Sequence, residues 1–524
     1  MWVGFDAQPW CTGAVGMYGK SWGGFNGLQM ASLRPSPLKS IVSLYSTDDR
    51  YATDVHYQGG AIIAYQMISW SSVMLSYDAR PPNPATVRGR EDGEGYIKTV
   101  ERVRDVWRAR LDASSGPTVQ DWLEHPTRDG FWQHGSAGAV GVDGQQTIEI
   151  PTLLVGGMAD GYTDNVFRML ASQPEAQRGS WRALVGPWGH DWPDSAAPGP
   201  NIGYLQELVQ WWSATLKHGN DAAAAQAAVD ATPLLRTFVV VVPPPTPAAG
   251  GMPGSVHREG RWLAQGRFAT AGSGDGAAAG TWPACFEGEA EYMQLRLHGD
   301  GAALLHANGP VVHDPTVQHQ GQPLHGSKSG DWLGWGASGG DDGPDEQSAD
   351  DGLSLCLTSA VLEEGVDLVG FPSLRATIAV DQAAATLNVR LTVVMPEGTS
   401  WLLSRGTVNL NHVPGTNHAA TRAIAPGEPL SVQLDLAAVA VHVPAGCRLR
   451  LALSPYNWPL IWPAAGPPTV LSLLSGGVLS LPLTHGSATY DWQPPAAFTQ
   501  PLLGPACPTE DIRPADETVR WFSE

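Results

Sequence analysis

The chain has 524 residues, of which 43% are hydrophobic and only 16% charged; that excludes a disordered protein and is enough chain for two or three buried cores. Its 51 acids against 31 Lys and Arg give a formal net charge of −20, with no basic stripe to offset it, so nucleic acid is not an expected partner. No apolar run approaches the about 18 residues of a membrane span.

The first element is the short, mostly apolar run "AVGMY" (14–18) between glycines, which reads as a buried strand. Trp22, Phe25, Leu28 and Ala31 then recur at near-helical spacing, and Pro35 ends the pattern before a second strand at 38–46. From about 49 to 146 the texture is helical, with "AIIAYQMISWSSVML" and "YIKTVERVRDVWRARL" joined by a Pro- and Gly-containing loop. Strand signals return at "TLLVGG" (152–157) and "RALVG" (182–186), with helices at "NVFRMLAS" and at 204–219. Beyond about 232 short β-rich runs alternate with Gly, Pro and Asp turns, the pattern of an all-β sandwich. The expected division is therefore 1–48 and 147–231 for an α/β domain, 49–146 for a helical insertion, and 232–524 for the β-sandwich. The acidic stretch 336–352 reads as a solvated loop.

G-x-S-x-G occurs twice, around Ser21 and around Ser338. The second copy lies in the acidic loop with no strand before it. The first sits between a strand and a helix, the context in which a sharp turn lifts a nucleophilic serine above a sheet. A serine hydroxyl needs a base, and the base an orienting acid. Asp160 follows the strand at 152–157 and His190 follows the strand at 182–186, giving Ser, Asp, His in chain order at three strand ends. Asp164 is a rival acid. Taken singly, each residue also fits a plain role: an incidental turn serine, a helix-capping carboxylate, a surface histidine.

Beyond these residues, "QPWCTGAVGMYGKSWGGF", "DDRYATDVHYQGG", "HPTRDGFWQHGS", "VGGMADGYTDN", "GPWGHDWP", "WLLSRGTVNLNH" and "GCRLRLALSPYNWP" resemble the α/β-hydrolases of the cocaine-esterase and X-Pro dipeptidyl-peptidase type, the CocE/NonD hydrolases. The resemblance runs over nearly the whole chain. It implies an α/β-hydrolase catalytic domain, a helical cap inserted between its strands and a C-terminal jelly-roll β-sandwich. It further implies Ser21 as nucleophile, Asp160 as acid and His190 as base, with the Trp22 backbone N–H donating to the oxyanion and no cofactor or metal. Tyr162 and Trp70 are candidate walls of the substrate pocket, with core packing as their alternative role. Two departures stand out: Thr53 where a second acid beside Asp54 is expected, and Ser213 where an Asp usually follows the paired tryptophans.

The elbow comes early, so the catalytic domain is expected to lack an N-terminal part of roughly 100 residues, a few strand–helix units. That expectation leaves the strand at 14–18 on an open edge, the second oxyanion donor missing, and the chain alone poorly soluble and nearly inactive. The functional expectation is a serine hydrolase acting on small esters or amides. The alternatives are an X-Pro dipeptidyl-peptidase, for which Asp49 or Asp54 would bind the substrate's amine, and a non-catalytic fragment whose sandwich binds a partner. The partner is then a small ester, amide or short peptide, and a homo-oligomer is allowed. Five widely separated cysteines and an opening without signal-peptide character favour a reducing, cytoplasmic setting.

Overall fold

Short, mostly apolar runs rich in Val, Ile and Leu suit strands whose two faces are both covered. Four short runs with apolar middles make the parallel part of the catalytic sheet: β1 (Val15–Lys20), β2 (Leu38–Leu44), and, beyond the cap, β5 (Thr152–Gly157) and β6 (Trp181–Gly186). The computed structural model describes residues 8–9, 11–84, 96–113, 116–137, 148–171, 180–218, 221–242, 257–265, 291–298, 303–306, 316–334, 343–474, 477–484 and 489–495. Ser338, and with it the second G-x-S-x-G, lies outside those residues.

β1, β2, β5 and β6 pair in that order, all parallel. Among the described strands β1 pairs with β2 alone, so it is the edge. Helix α1 (Trp22–Ser32) and helix α6 (Thr163–Ala171) cover one face, packing Leu28, Phe167 and Leu170 against Ile41, Leu154 and Val185. Helix α7 (Tyr204–Leu216) covers the other, packing Leu208 and Trp211 over Val42, Val155 and Leu184. Alternate residues of each strand thus feed two separate cores.

Between β2 and β5 lies the cap: a two-residue hairpin, β3 (Tyr57–Gln58) and β4 (Ala61–Ile62), then α2 (Ala64–Ala79), α3 (Tyr96–Ala113), α4 (Val119–Glu124) and α5 (Gly130–Gln133). The hairpin and the start of α2 are tied to the C-terminal part by backbone hydrogen bonds, from Asn409 N–H to Gly59 O at 2.8 Å and from Ala64 N–H to Leu460 O at 2.9 Å.

The boundary expected at 231/232 moves. Helix α8 (Ala222–Asp230) leads into β7 (Leu235–Val241), which pairs parallel with β6, and β8 (Gly260–Gln265) pairs antiparallel with β7. Both strands extend the catalytic sheet. An apolar run such as "FVVVV" fits either sheet equally, and only the long-range pairing decides. The antiparallel sandwich follows from about residue 291. Its central strand, Thr386–Val394, is buried throughout and pairs on both sides, with Ser400–Asn409 and Arg448–Ser454. β7 also pairs with the sandwich, through Val240–Val441 and Val241–His442.

Candidate active site

The register aligns the carboxyl ends of β1, β2, β5 and β6, with Lys20 opposite Leu44, Leu44 opposite Val155, and Gly157 opposite Gly186. In an open parallel sheet this edge is where ligands bind. Ser21, Tyr45, Asp160 and His190 all come from the loops that leave these four ends.

Ser21 sits at the turn from β1 into α1 with φ 57° and ψ −119°, a left-handed φ that a non-glycine residue rarely adopts. Its N–H donates to Leu44 O at 2.9 Å, and its carbonyl accepts from Phe25 N–H at 3.1 Å. The sharp turn brings backbones together. A Cβ on Gly19 would lie 2.6 Å from the Gly23 backbone, and one on Gly24 would lie 2.7 Å from Ser46 Oγ. A Cβ on Gly23 itself would meet nothing within 4 Å. Trp22 is the first residue of α1, so helix geometry leaves its N–H without an intrahelical acceptor, next to Ser21.

His190 and Asp160 are brought together. His190 is fully buried, and its Nδ1 lies 2.5 Å from Asp160 Oδ2. Asp160 Oδ1 accepts the Tyr162 N–H at 2.7 Å, which fixes the carboxylate's rotation. Asp164 faces elsewhere: it accepts the Ala438 N–H at 2.6 Å from the sandwich, and burial pushes its carboxyl up to about 6. Lys20, beside the serine, reaches the His190 carbonyl at 3.4 Å and Asp191 at 3.2 Å. The serine turn and the histidine loop are therefore neighbours.

Of the pocket candidates, Tyr162 is buried, with its ring between those of Phe25 (5.6 Å) and His190 (5.8 Å) and its hydroxyl donating to Asp54 at 2.8 Å. Trp70 is half-buried and faces Trp22 at 6.4 Å. Thr53 shares a hydrogen bond with Thr47 at 2.7 Å, beside the Asp48–Arg168 ion pair.

Two contributions escaped the sequence reading. Tyr45 follows β2 as Ser21 follows β1, with φ 46°; its buried ring packs 5.4 Å from the imidazole of His190. Burial, then the charge of Asp160, pushes its phenol far above the ordinary value, so it stays protonated. The strand expected at 38–46 takes Tyr45 inside it, whereas β2 ends at Leu44. The second comes from the C-terminal half. His190 N–H donates to Gly334 O at 2.8 Å, and Trp332 presses so closely on the acid loop that a Cβ on Gly161 would lie 2.5 Å from its carbonyl oxygen. Arg405 pins this segment, donating to Ser329 O at 2.8 Å and Asp331 O at 3.1 Å with its guanidinium over the Trp332 ring. "GDWLGWG" carries no periodic signal, and nothing in the sequence joins it to His190. Among the described residues no group of three or more His, Cys, Asp or Glu is placed to hold a metal ion.

Residues 2–192 match the family profile "X-Pro dipeptidyl-peptidase (S15 family)", and residues 262–493 match "X-Pro dipeptidyl-peptidase C-terminal non-catalytic domain". The chain belongs to the CocE/NonD type of α/β-hydrolases. Cocaine esterase of Rhodococcus sp. (strain MB1 Bresler) is 24% identical over 483 residues, 86% of this chain and 74% of that protein. An aminopeptidase from a marine sediment Thaumarchaeota archaeon superposes with TM-score 0.61 at 16% identity, over 90% of this chain and 77% of that one. A CocE/NonD family hydrolase from Staphylococcus aureus superposes with TM-score 0.54 at 14% identity, over 92% and 74%. The CocE/NonD fold, a mixed sheet with a cap and an antiparallel C-terminal domain, accounts for the layout described above, and the relatives are hydrolases. No described helix is long and apolar enough to cross a membrane.

Proposed function

We propose that the protein is a serine hydrolase that cleaves small esters or amides through an acyl-enzyme. Ser21 Oγ bonds to the substrate carbonyl while His190 Nε2 takes its proton. Asp160 accepts from His190 Nδ1, fixing the tautomer and offsetting the imidazolium charge, and the Trp22 N–H donates to the oxyanion. The bond to the leaving group then breaks as His190 returns the proton. Water repeats the sequence and frees the acid. One observation carries the reading: the buried Asp160–His190 pair, at 2.5 Å, stands beside a serine held at φ 57° on the adjoining loop.

The alternative, release of X-Pro dipeptides, draws on the names of the two matching profiles. It requires an acid for the substrate's amine, and the acids entering the cap are occupied. Asp48 pairs with Arg168 and Asp49 with Arg128. Asp54 pairs with Arg50 at 2.8 Å and also accepts from Tyr162 and Val55. That arrangement favours esters over dipeptides.

A fluorophosphonate probe tests the nucleophile. It is expected to label the wild-type protein at Ser21 and to leave Ser21→Ala unlabelled, with turnover of nitrophenyl esters falling by about six orders of magnitude. Labelling that survives Ser21→Ala sinks the assignment. Faster cleavage of an alanyl-prolyl anilide than of the esters promotes the peptidase.

A further inference from the structure

A cavity of about 420 Å³ opens between α1 and the cap. Trp22 and Phe25, from the first turn of α1, form one wall, and Trp122, Phe131 and Trp132 of the cap form much of the other. It therefore begins one residue from Ser21. No Asp or Glu is among its described lining residues, and Arg50 is the only Lys or Arg.

Arg50 is held from several sides. Its N–H donates to Ser136 Oγ at 2.9 Å, and its carbonyl takes His56 Nδ1 at 3.1 Å. Its guanidinium lies 4.7 Å from the centre of the Phe25 ring, and one nitrogen, Nη1, meets Asp54 Oδ2 at 2.8 Å. Asp54 is buried and fixed in turn by Tyr162 and the Val55 N–H. A guanidinium has five N–H donors in a planar fork; among the described residues, no acceptor other than Asp54 meets that fork. The side chain is 23% exposed. The cavity thus offers aromatic walls and a preorganised cation with donors to spare, the chemistry that binds a carboxylate.

We propose that Arg50 anchors a carboxylate on the arm of the substrate that enters this cavity, so that acid-bearing esters or amides are the preferred class. The proposal rests on the serine-hydrolase reading for turnover, but not for binding.

Two matched pairs of esters test it, one for each side of the scissile bond. On the acyl side, the mono-4-nitrophenyl ester of terephthalic acid is compared with 4-nitrophenyl 4-methylbenzoate. On the leaving-group side, 4-acetoxybenzoate is compared with 4-methylphenyl acetate. In the wild-type protein one pair is expected to show kcat/KM at least about tenfold higher for the carboxylate member. Arg50→Gln is expected to lower that ratio about 10–100-fold, as loss of a charge-assisted contact does, and Arg50→Lys to restore part of it. The ratio is the readout, so a general loss of activity does not mimic the result. Calorimetry of terephthalate with Ser21→Ala protein needs no turnover; binding is expected there and is expected to vanish when Arg50→Gln is added. If Arg50→Gln does not fold, the wild-type ratios, Arg50→Lys and the Ser21→Ala titration still decide. Turnover of both pairs without carboxylate preference, a preference that survives Arg50→Gln in folded protein, or absence of terephthalate binding overturns the proposal. Binding without turnover of any ester leaves Arg50's role standing and removes the serine-hydrolase reading instead.

Discussion

Ser21 occupies a backbone conformation that costs an ordinary residue about 1–3 kcal/mol, and its neighbours must hold it there. The motif suggests that Gly19 and Gly23 serve this need equally. The contacts divide the work differently: Gly19 must be bare because Gly23's backbone presses on it, and Gly24 must be bare because Ser46 and Leu44 do. Gly24→Ala is therefore expected to lower the unfolding midpoint and to abolish fluorophosphonate labelling. Gly23→Ala is expected to keep both, with a helix-propensity gain of up to about 1 kcal/mol. Equal damage from the two, measured by thermal melting and labelling, refutes this division. The same lesson applies to Tyr45. A pattern match registers residue types, whereas the requirement is steric and comes from atoms that are distant in sequence.

At the scale of elements, the strands around the site were legible because each is a short, mostly apolar run with Gly or Pro at or beside an end, and a doubly covered parallel sheet favours that composition. Helix α1 was legible from the near-helical spacing of Trp22, Phe25, Leu28 and Ala31. The sheet to which β7 belongs was not legible, because the parallel partners that decide it lie about fifty residues before it and two hundred after it. Nor was the brace on the histidine loop, which runs from the sandwich strand Ser400–Asn409 through Arg405 to Trp332 and Gly334. Arg405 is half-buried, and desolvation lowers its guanidinium only to about 10, so it keeps its charge at neutral pH. Arg405→Ala is expected to free the 329–334 segment and shift the imidazole, lowering kcat by about 10–100-fold with a smaller effect on KM. A KM effect with kcat intact, in steady-state assays on a nitrophenyl ester, argues against this bracing role.

For the whole molecule, histidines lowered by burial set the response to acid. His56 in the cap, and His325 and His418 in the C-terminal part, are each lowered from an ordinary 6.5 to about 4 by burial. In the unfolded chain they take up protons near 6.5, and in the folded chain only near 4. Their contribution to stability is complete above about 6.5 and is lost as pH falls toward 4. Asp164 works in the opposite sense: raised to about 6 in the fold, it favours the folded state more as pH falls through the same window. His412 is lowered by burial as well, and Asp331 and Asp435 are raised by burial as Asp164 is; the histidines, four against three carboxyls, give a net loss. The thermal midpoint is expected to fall steadily between pH 6.5 and 4, and His56→Asn or His418→Asn should each flatten that slope. A midpoint that stays level over this range counts against the assignment of these buried neutral rings.

The double pairing of β7 has a mechanical meaning. One strand is hydrogen-bonded to β8 along one edge and, along the other, to β6 at Leu235–Thr237 and then to the sandwich at Val240 and Val241, and Val242 N–H adds a bond to His442 O at 3.1 Å. A hinge between the two bodies would have to shear that ladder. Torque applied to the sandwich therefore passes into β7 and then into β6, whose far end carries the loop of His190. Together with the strut through Arg405, this makes the C-terminal half a stiff mount that fixes the aim of the imidazole from two directions.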